Sequence, residues 1–192
     1  MKKIVITGGL GYIGTELCKI YSGISWNNKI TVIDNRFISE RVNQLRNWNI
    51  DFIEGDILDK DLINKHCQNA DIVHHLAGIT NVPRVKSESN ETHDNKITLV
   101  AEQGTQNILD AINDQCKIIM PSTHVVYEGI EKVKKDILEN EKTNPILSYG
   151  KSKDINEKQL KASGKNYIIL RLGSVYGYST DTARIDIMAN FF

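Results

Sequence analysis

Short apolar runs alternate with longer amphipathic stretches along the chain. Six runs, rich in β-branched residues and apolar throughout, are typical of strands covered on both faces. They span residues 3–7, 30–33, 51–53, 72–76, 117–120 and 167–170. Helical spacing of apolar residues between them predicts helices over residues 12–21, 41–48, 60–67, 95–113 and 149–163. Strands that alternate with helices need crossover connections, so the pattern predicts an α/β fold, a doubly wound parallel sheet with helices on both faces.

One segment breaks this alternation. Residues 128–144 are polar and rich in lysine and glutamate. A polar stretch without an apolar period is typical of a solvated loop, so we expect an excursion between the fifth strand and the last helix.

Composition and charge narrow the class of protein. The chain has 192 residues, which suits one domain with at most a small appendage. Its 24 basic and 24 acidic residues cancel, whereas nucleic-acid and membrane-surface partners favour a basic excess. No apolar run approaches the roughly 18 residues of a membrane span, and the amino terminus enters a strand-like run too short for a signal peptide. We therefore expect a cytoplasmic protein without nucleic-acid or membrane partners.

The three cysteines, Cys18, Cys67 and Cys116, are far apart in sequence. Their number is odd and no CxxC spacing is present. The pattern therefore favours reduced, buried thiols over a zinc site or a disulfide, and we expect no bound metal.

Four glycines fall within seven positions directly after the first predicted strand. Gly9-x-Gly11-x-x-Gly14 matches the dinucleotide fingerprint, and Gly8 adds a second spacing, Gly8-x-x-Gly11-x-x-Gly14. Early glycines allow a tight turn and a close approach of the backbone to a pyrophosphate, and the last lets helix and strand pack closely. The start of the helix then presents free N–H groups to the phosphates. The alternative is a tight strand-to-helix turn without a ligand.

Two acidic residues end the next two strands. Asp34 lies twenty residues after Gly14, where a carboxylate accepts hydrogen bonds from the ribose hydroxyls of an adenosine. A carboxylate there repels the 2′-phosphate of NADP, so NAD is favoured, and Arg36 offsets part of this repulsion. Asp56 either meets the adenine amino group or caps the following helix, and the residues alone do not decide between these.

A tyrosine and a lysine share one face of the last predicted helix. Tyr149 and Lys153 are four residues apart, within "SYGKSK". A nearby ammonium stabilises a phenolate and brings a tyrosine, whose pKa is ordinarily near 10, toward use as a general base. The pair follows the fifth strand, and ligands bind at the carboxyl ends of strands in such sheets.

At this point the chain resembles the extended short-chain dehydrogenase/reductases, especially the NAD-dependent nucleotide-sugar epimerase/dehydratase group. The matching motifs occur in the family's order over nearly the whole chain. They are "TGGLGYIG" (7–14), "VIDN" (32–35), "GDI" (55–57), "HLAG" (75–78), "GTQN" (104–107), "PSTHVVY" (121–127), "YGKSK" (149–153) and "RLGSVYG" (171–177).

The resemblance implies a Rossmann fold that binds NAD and acts on a nucleotide sugar. Tyr149 is then the general base, Lys153 lowers its pKa and holds the nicotinamide ribose, and Thr123 hydrogen-bonds the reacting oxygen. His75 matches a position at the cofactor cleft, although a lone histidine is more often a core residue. Besides Tyr149 and Lys153, the implied cofactor contacts are Gly8, Gly11, Tyr12, Ile13, Gly14, Asp34, Asn35, Asp56, Ile57, Leu76, Ala77 and Gly78.

Departures from the family pattern refine this expectation. Members that eliminate water or carbon dioxide carry an acidic residue just after the Ser/Thr, but His124 and Val125 stand here. That argues against a 4,6-dehydratase or a decarboxylase. Ala101 replaces the usual asparagine of a helix kink and water relay, and Glu128 stands where "VYG" has its glycine.

Length is the largest departure. Family members continue into a carboxyl-terminal lobe that binds the sugar nucleotide, and this chain ends inside an apolar segment. We expect an NAD-binding domain over residues 1–174 and the start of a truncated substrate lobe over residues 175–192. The family commonly pairs as a homodimer through the helices expected over residues 95–113 and 149–163, the first of which has one apolar face.

Three functions remain open. The first is an NAD-dependent epimerase that acts on a nucleotide sugar through a transient 4-keto intermediate. The second is an NAD(P)-dependent reductase of another small carbonyl compound. The third is a dinucleotide-binding module without catalysis, against which the retained Tyr149, Lys153 and Thr123 argue.

Overall fold

The computed structural model describes residues 1–24, 27–80, 90–131, 134–177 and 179. Strands and helices alternate along the described chain. The strands are β1 (Lys2–Thr7), β2 (Asn28–Asp34), β3 (Asp51–Glu54), β4 (Ile72–His75), β5 (Lys117–Thr123) and β6 (Asn166–Leu172). The helices are α1 (Tyr12–Gly23), α2 (Ser39–Asn47), α3 (Lys60–Cys67), α4 (Glu91–Ala111) and α5 (Ser148–Ala162). A short 3₁₀ helix, His124–Tyr127, follows β5.

All six strands join one parallel sheet in the order β3-β2-β1-β4-β5-β6. The chain builds outward from β1 in one direction through β2 and β3, and then in the other through β4, β5 and β6. The order therefore reverses between β1 and β4, which is the point where ligands bind in doubly wound sheets. The predicted fold class is confirmed.

Each face of the sheet carries its own apolar core. Neighbouring strand residues point to opposite faces, so Ile4 and Ile6 of β1 lie in one core and Val5 lies in the other. Residues of α1 and α2 complete the first core, and residues of α3, α4 and α5 complete the second. The inner strands β1, β2, β4 and β5 are consequently covered on both faces, as their sequence pattern indicates. The expectation was wrong for the edge strand β6, where Tyr167, Ile168 and Leu170 are exposed.

All the predicted strands and helices occur, and most of them begin or end at residues other than those predicted. α3 has the predicted bounds, whereas α4 begins four residues early, at Glu91, where Asn90 accepts hydrogen bonds from the N–H groups of Thr92 and His93. β5 continues past its predicted end through Pro121 to Thr123. Proline lacks an N–H donor, but the ladder with β4 ends at Ile119, so β5 pairs only with β6 at Pro121.

Several smaller expectations can also be compared with the structure. All three cysteines are free and buried, as predicted. The described parts of the segment 128–144 form turns and contain neither helix nor strand, as expected for an excursion. Of the predicted start of a substrate lobe, residues 178 and 180–192 lie outside the described residues. Among the helices in the described ranges, none is both long and apolar enough to cross a membrane.

Candidate active site

A cleft of about 1010 Å³ opens at the carboxyl ends of the strands, where the strand order reverses. Every residue predicted for cofactor binding or catalysis lines it. From the first two strands and the turns after them come Gly8, Gly11, Tyr12, Ile13, Gly14, Asp34 and Asn35. From the other strand ends and α5 come Asp56, Ile57, Leu76, Ala77, Gly78, Thr123, Tyr149 and Lys153.

Two glycines of the first turn are required by the backbone itself. Gly8 has φ +71°, and a Cβ there would lie 2.7 Å from the backbone nitrogen of Ala77. A Cβ on Gly14 would lie 2.5 Å from the carbonyl oxygen of Gly8. Any larger residue at either position would push the turn away from β4 or from α1. These glycines therefore bring the turn close to the strand ends.

Gly11 has a different reason to be glycine. Its backbone, with φ −77° and ψ 173°, is open to any residue. A Cβ there would meet only the Gly8 oxygen at 3.2 Å and the Arg36 guanidinium at 3.8 Å. A longer side chain at position 11 would stand in the cleft. Gly11 is also the N-cap of α1 and supplies no side chain to its first N–H groups, which is the arrangement that binds phosphate oxygens.

Asp34 is buried at the end of β2 and is held in one orientation. One carboxylate oxygen accepts the N–H of Leu10 at 3.0 Å. The other accepts the backbone N–H of Arg36 at 3.1 Å and its Nε at 3.3 Å. The glycine turn and the carboxylate are thus joined directly, as a dinucleotide site requires.

Asp56 lies beside this carboxylate without capping a helix. Its side chain accepts a hydrogen bond from the Asn35 amide at 3.0 Å and another from the N–H of Leu58 at 3.0 Å. The N-cap of α3 is Asp59, whose carboxylate accepts the N–H of Leu62. The interpretation of Asp56 as a helix cap was wrong, and its contact with Asn35 leaves it at the cleft.

The three residues predicted for catalysis converge at the other end of the cleft. Thr123 ends β5 and accepts the N–H of Val125 at 3.3 Å, which fixes its side chain. Tyr149 is the second residue of α5, and the Nζ of Lys153 lies 5.9 Å from the centre of its ring. Lys153 is only 8% exposed, and burial lowers its pKa to about 8. The Tyr149 ring therefore lies near an ammonium that water screens poorly.

His75 supports this region from below the cleft and does not line it. It is buried, and its two ring nitrogens hydrogen-bond the hydroxyls of Thr7 at 2.9 Å and Thr105 at 3.0 Å. Burial, and then the charge of Lys153, lower the His75 pKa to about 3. The histidine is neutral at physiological pH, and the alternative of a core histidine is the correct one.

Ala101 lacks the amide of the asparagine that is usual in the family, and a neighbouring helix supplies an amide at this point. Asn156 of α5 donates its side-chain amide to the Ala101 carbonyl at 2.7 Å and to the Thr105 hydroxyl at 2.8 Å. Thr105 in turn bonds His75. A side-chain amide therefore contacts the turn of α4 that contains position 101, but this amide belongs to α5, one turn beyond Lys153.

Sequence reasoning missed a buried ionic group next to the residues predicted for catalysis. Glu157 of α5 accepts hydrogen bonds from Ser122 at 2.6 Å, from Arg171 at 2.8 and 2.5 Å, and from Lys161 at 3.0 Å. Arg171 also bonds the hydroxyl of Tyr127. Because Ser122 immediately precedes Thr123, this group ties α5 to the end of β5.

The start of α4 supplies cleft residues that the sequence reasoning also missed. His93, Lys96, Leu99 and Val100 line the cleft. Their helical spacing is a usable signal, but the predicted helix began only at residue 95. The apolar face of α4 could have met either a partner subunit or the chain's own sheet, and it is largely buried within this chain. Its residues are Ile97, Val100, Gly104, Ile108 and Ala111; Ile108 lies in the second core, and Val100 and Ala111 pack against it.

Comparison with known proteins agrees with this geometry. Residues 4–191 match the NAD dependent epimerase/dehydratase family. The chain belongs to this family. A solved UDP-glucose 4-epimerase from Brucella ovis, in complex with NAD, is 30% identical with a TM-score of 0.70, over 89% of this chain and 51% of that one. The UDP-glucuronic acid 4-epimerase from Bacillus cereus, also with NAD, is 28% identical with a TM-score of 0.73, over 91% of this chain and 57% of that one.

The family also contains dehydratases. The dTDP-D-glucose 4,6-dehydratase of Dictyostelium discoideum is 29% identical over 92% of this chain and 44% of the relative. The chain thus spans about half the length of these relatives. Family membership extends to enzymes with different reactions and sugars, so the residues of the cleft must distinguish among them.

Proposed function

We propose that this chain is the cofactor-binding and catalytic part of an NAD-dependent nucleotide-sugar epimerase that works through a transient 4-keto sugar. The observation that carries the proposal is the convergence of Tyr149, Lys153 and Thr123 in one cleft with the glycine turn. A sensor without catalysis has no need of these three side chains at the reactive end.

The residues of the cleft fit NAD as the cofactor. The N–H groups at the start of α1 face the space in front of Gly11 and suit the pyrophosphate. Asp34 suits the adenosine ribose, and Asn35 and Asp56 suit the adenine. Leu76, Ala77 and Gly78 form the wall toward the nicotinamide. When bound, NAD would supply the hydride acceptor and donor.

Each catalytic side chain has a distinct task in this reaction. Tyr149 takes the proton from the sugar 4-hydroxyl and later returns it to the 4-oxygen, whereas the hydride removed from C4 would come back to the opposite face of that carbon. Lys153 stabilises the phenolate that this requires. Thr123 holds the reacting oxygen by a hydrogen bond. His124 and Val125 provide no acid after Thr123 to expel water, which favours epimerisation over dehydration.

The experiment uses the whole enzyme, including its substrate lobe, with UDP-glucose and UDP-glucuronic acid as probes. Tyr149→Phe should lower turnover by about 10²–10⁴, as expected for a positioned acid–base group, and leave NAD affinity nearly unchanged. Lys153→Ala should lower both turnover and NAD affinity, because its ammonium serves both. Wild-type turnover in Tyr149→Phe would contradict the catalytic assignment while leaving the cofactor site intact.

Turnover also separates an epimerase from a reductase. An epimerase interconverts each probe with its 4-epimer without net change in NADH, whereas a reductase consumes added NADH stoichiometrically with a carbonyl substrate. Continuous loss of NADH absorbance with a small carbonyl compound, together with no epimerisation of either probe, would favour the reductase. We propose in addition that the protein is cytoplasmic. We also propose that it forms a homodimer through the outer surfaces of α4 and α5, because the inner faces of these helices already pack in its own core.

A further inference from the structure

A series of buried hydrogen bonds leads from α5 to the end of β4, and we call it the buried run. It starts at Asn156 of α5, whose side-chain amide donates to the Thr105 hydroxyl of α4 at 2.8 Å. Thr105 bonds one ring nitrogen of His75 at 3.0 Å, and the other ring nitrogen bonds Thr7 at 2.9 Å. The Thr7 hydroxyl in turn accepts the N–H of Ala77 at 3.3 Å. Two helices and two strands are therefore linked to the residue that lines the cleft after β4.

The buried run lies in the interior of the protein. Each of its four side chains is at most 4% exposed. The His75 ring in its middle is neutral, so one ring nitrogen donates and the other accepts. Water does not replace a lost contact at such a depth, and a buried polar group without its partner is costly. The distances between the members are therefore closely fixed, and loss of one contact would weaken the others.

Both ends of the buried run lie at the reactive end of the cleft. Lys153 precedes Asn156 by three residues on α5, so their side chains are neighbours on the helix surface. Gly78 directly follows Ala77 at the other end. The Nζ of Lys153 lies 4.0 Å from the point that a Cβ on Gly78 would occupy. The buried run therefore connects, through the interior, the two sides of the gap between Lys153 and Gly78.

Asn156 differs from the neighbouring polar contact between the same two helices. Its amide donates to the Ala101 carbonyl at 2.7 Å as well as to the buried run, and it lies 3.3 Å from the side-chain oxygen of Gln159. Gln159 donates to the Glu102 carbonyl of α4 at 2.8 Å, in an exposed position. Both residues join α5 to α4, but only Asn156 continues to His75 through Thr105. The two contacts can therefore be removed separately.

We infer that Asn156 is a positioning residue for the proposed reaction, because the buried run holds Gly78 at a fixed distance from the Lys153 ammonium. The inference rests on the proposed function, which assigns this gap to the nicotinamide end of bound NAD. Asn156 does not line the cleft and acts only through other residues. Without its amide, α5 and the end of β4 would be joined less firmly, so the cofactor would be held less precisely while the sugar contacts stay unchanged.

The test uses the whole enzyme, including its substrate lobe, with NAD and UDP-glucose as probes. Asn156→Leu keeps the approximate size of the side chain and removes its donors. It should lower kcat by about tenfold to a hundredfold, the scale of a small misplacement of reacting groups. Calorimetry should show NAD affinity weaker by about three- to tenfold, the scale of one hydrogen bond. The KM for UDP-glucose should stay within about twofold, because sugar binding does not use this contact.

A matched control and a second variant separate positioning from general stability. Gln159→Leu removes the exposed contact between the same helices and should leave kcat and NAD affinity within about twofold, as for a surface site. Thr105→Val breaks the next contact of the buried run without changing the shape of the side chain, and should lower kcat as Asn156→Leu does. The double variant Asn156→Leu/Thr105→Val should lower kcat little further, because both changes interrupt one series of contacts.

Three outcomes would overturn the inference. Wild-type kcat and NAD affinity in Asn156→Leu would show that the residue affects stability alone. Fully multiplicative effects of Asn156→Leu and Thr105→Val on kcat would show that the two do not act through one series of contacts. Equal losses in Gln159→Leu would assign the effect to helix contact in general. Failure of the proposed function is distinguishable, because the wild type would then not epimerise UDP-glucose, whereas the NAD affinities of the variants would still be compared.

Discussion

Replacement of Glu157 by alanine should destabilise this protein more than any surface substitution. Glu157 is fully buried on α5. It accepts hydrogen bonds from Arg171 of β6, from Ser122 of β5 and from Lys161, one turn along its own helix. Without the carboxylate, the Arg171 side chain, which is 11% exposed, keeps its charge and loses its counter-ion.

The size of the effect follows from the contacts. Removing one partner of a buried ion pair costs about 3–5 kcal/mol. Burial alone would raise the Glu157 pKa, but hydrogen bonds from Arg171, Ser122 and Lys161 outweigh it and lower the pKa from 4.5 to about 2. By the conversion of about 1.4 kcal/mol per pKa unit, that difference corresponds to about 3 kcal/mol. The thermal midpoint should fall by about 6–20 °C, at about 2–4 °C per kcal/mol.

Lys161 provides a matched control on the same carboxylate. Its Nζ lies 3.0 Å from Glu157, but its side chain is 49% exposed. Lys161→Ala should therefore cost no more than about 1 kcal/mol. Urea unfolding of the wild type and both variants, followed by circular dichroism, gives the free energies of unfolding. Equal destabilisation by the two variants would refute the reasoning, because exposure would then not determine the cost.

The same carboxylate predicts a pH dependence with a definite sign. Its pKa is lower in the folded chain than in the unfolded chain, so its stabilisation is complete above about pH 4.5 and is lost as the pH falls toward about 2. Glu157→Gln does not titrate at this position. The difference in unfolding free energy between wild type and Glu157→Gln should therefore shrink as the pH falls through this range. A constant difference would mean that the Glu157 charge is not what stabilises the wild type.

Two further predictions concern the cofactor and assembly. Gly11→Val should reduce NAD affinity at least tenfold with a change in stability of only about 0.5 kcal/mol, as for a surface site, because the backbone at Gly11 accommodates valine and the side chain would fill the cleft. Calorimetry tests this with Gly23→Ala as control, since a Cβ at Gly23 would meet no atom of the described residues within 4 Å. Undiminished NAD binding in Gly11→Val would contradict the prediction. At high micromolar concentration, light scattering should give about twice the 21.7 kDa chain mass, and a strictly monomeric mass would contradict the dimer.

The cleft could be predicted from sequence because its residues lie where local rules place them. Gly8 and Gly14 follow a strand and open a helix, Asp34 ends the next strand, and Tyr149 and Lys153 share a helix face. Once the strands are parallel, all their carboxyl ends meet at one edge. Local pattern and topology together are then sufficient to bring these side chains into one cleft.

Element ends were less predictable, because they depend on single hydrogen bonds. Asp56 and Asp59 both precede the predicted helix, and nothing in the local sequence tells which carboxylate reaches a helix N–H. The cap is Asp59, because the Asp56 side chain is already engaged by Asn35 and by the turn at Leu58. The early start of α4 at Glu91, capped by Asn90, was missed for a similar reason, since its first turn is polar and has no apolar period.

The buried hydrogen bonds that hold the site residues in place could not be predicted from the sequence. His75 and Thr105 are 30 residues apart, and Ser122 and Glu157 are 35 apart, so no motif joins either pair. Which residues pair depends on the packing of α4 and α5 against the sheet. A buried polar side chain is costly unless it is paired, so the burial of Glu157 implies that partners exist without identifying them.

These buried contacts bear directly on the proposed catalysis, because the residues proposed for it come from two elements. Thr123 ends β5, whereas Tyr149 and Lys153 belong to α5, and a reaction that needs all three requires the helix and the strand to keep one spacing. Glu157 is one turn beyond Lys153, and its Ser122 partner adjoins Thr123. The Ser122–Glu157 hydrogen bond therefore joins the two elements within one residue or one turn of the groups proposed to react. Stability and catalytic geometry should accordingly fall together when that contact is broken.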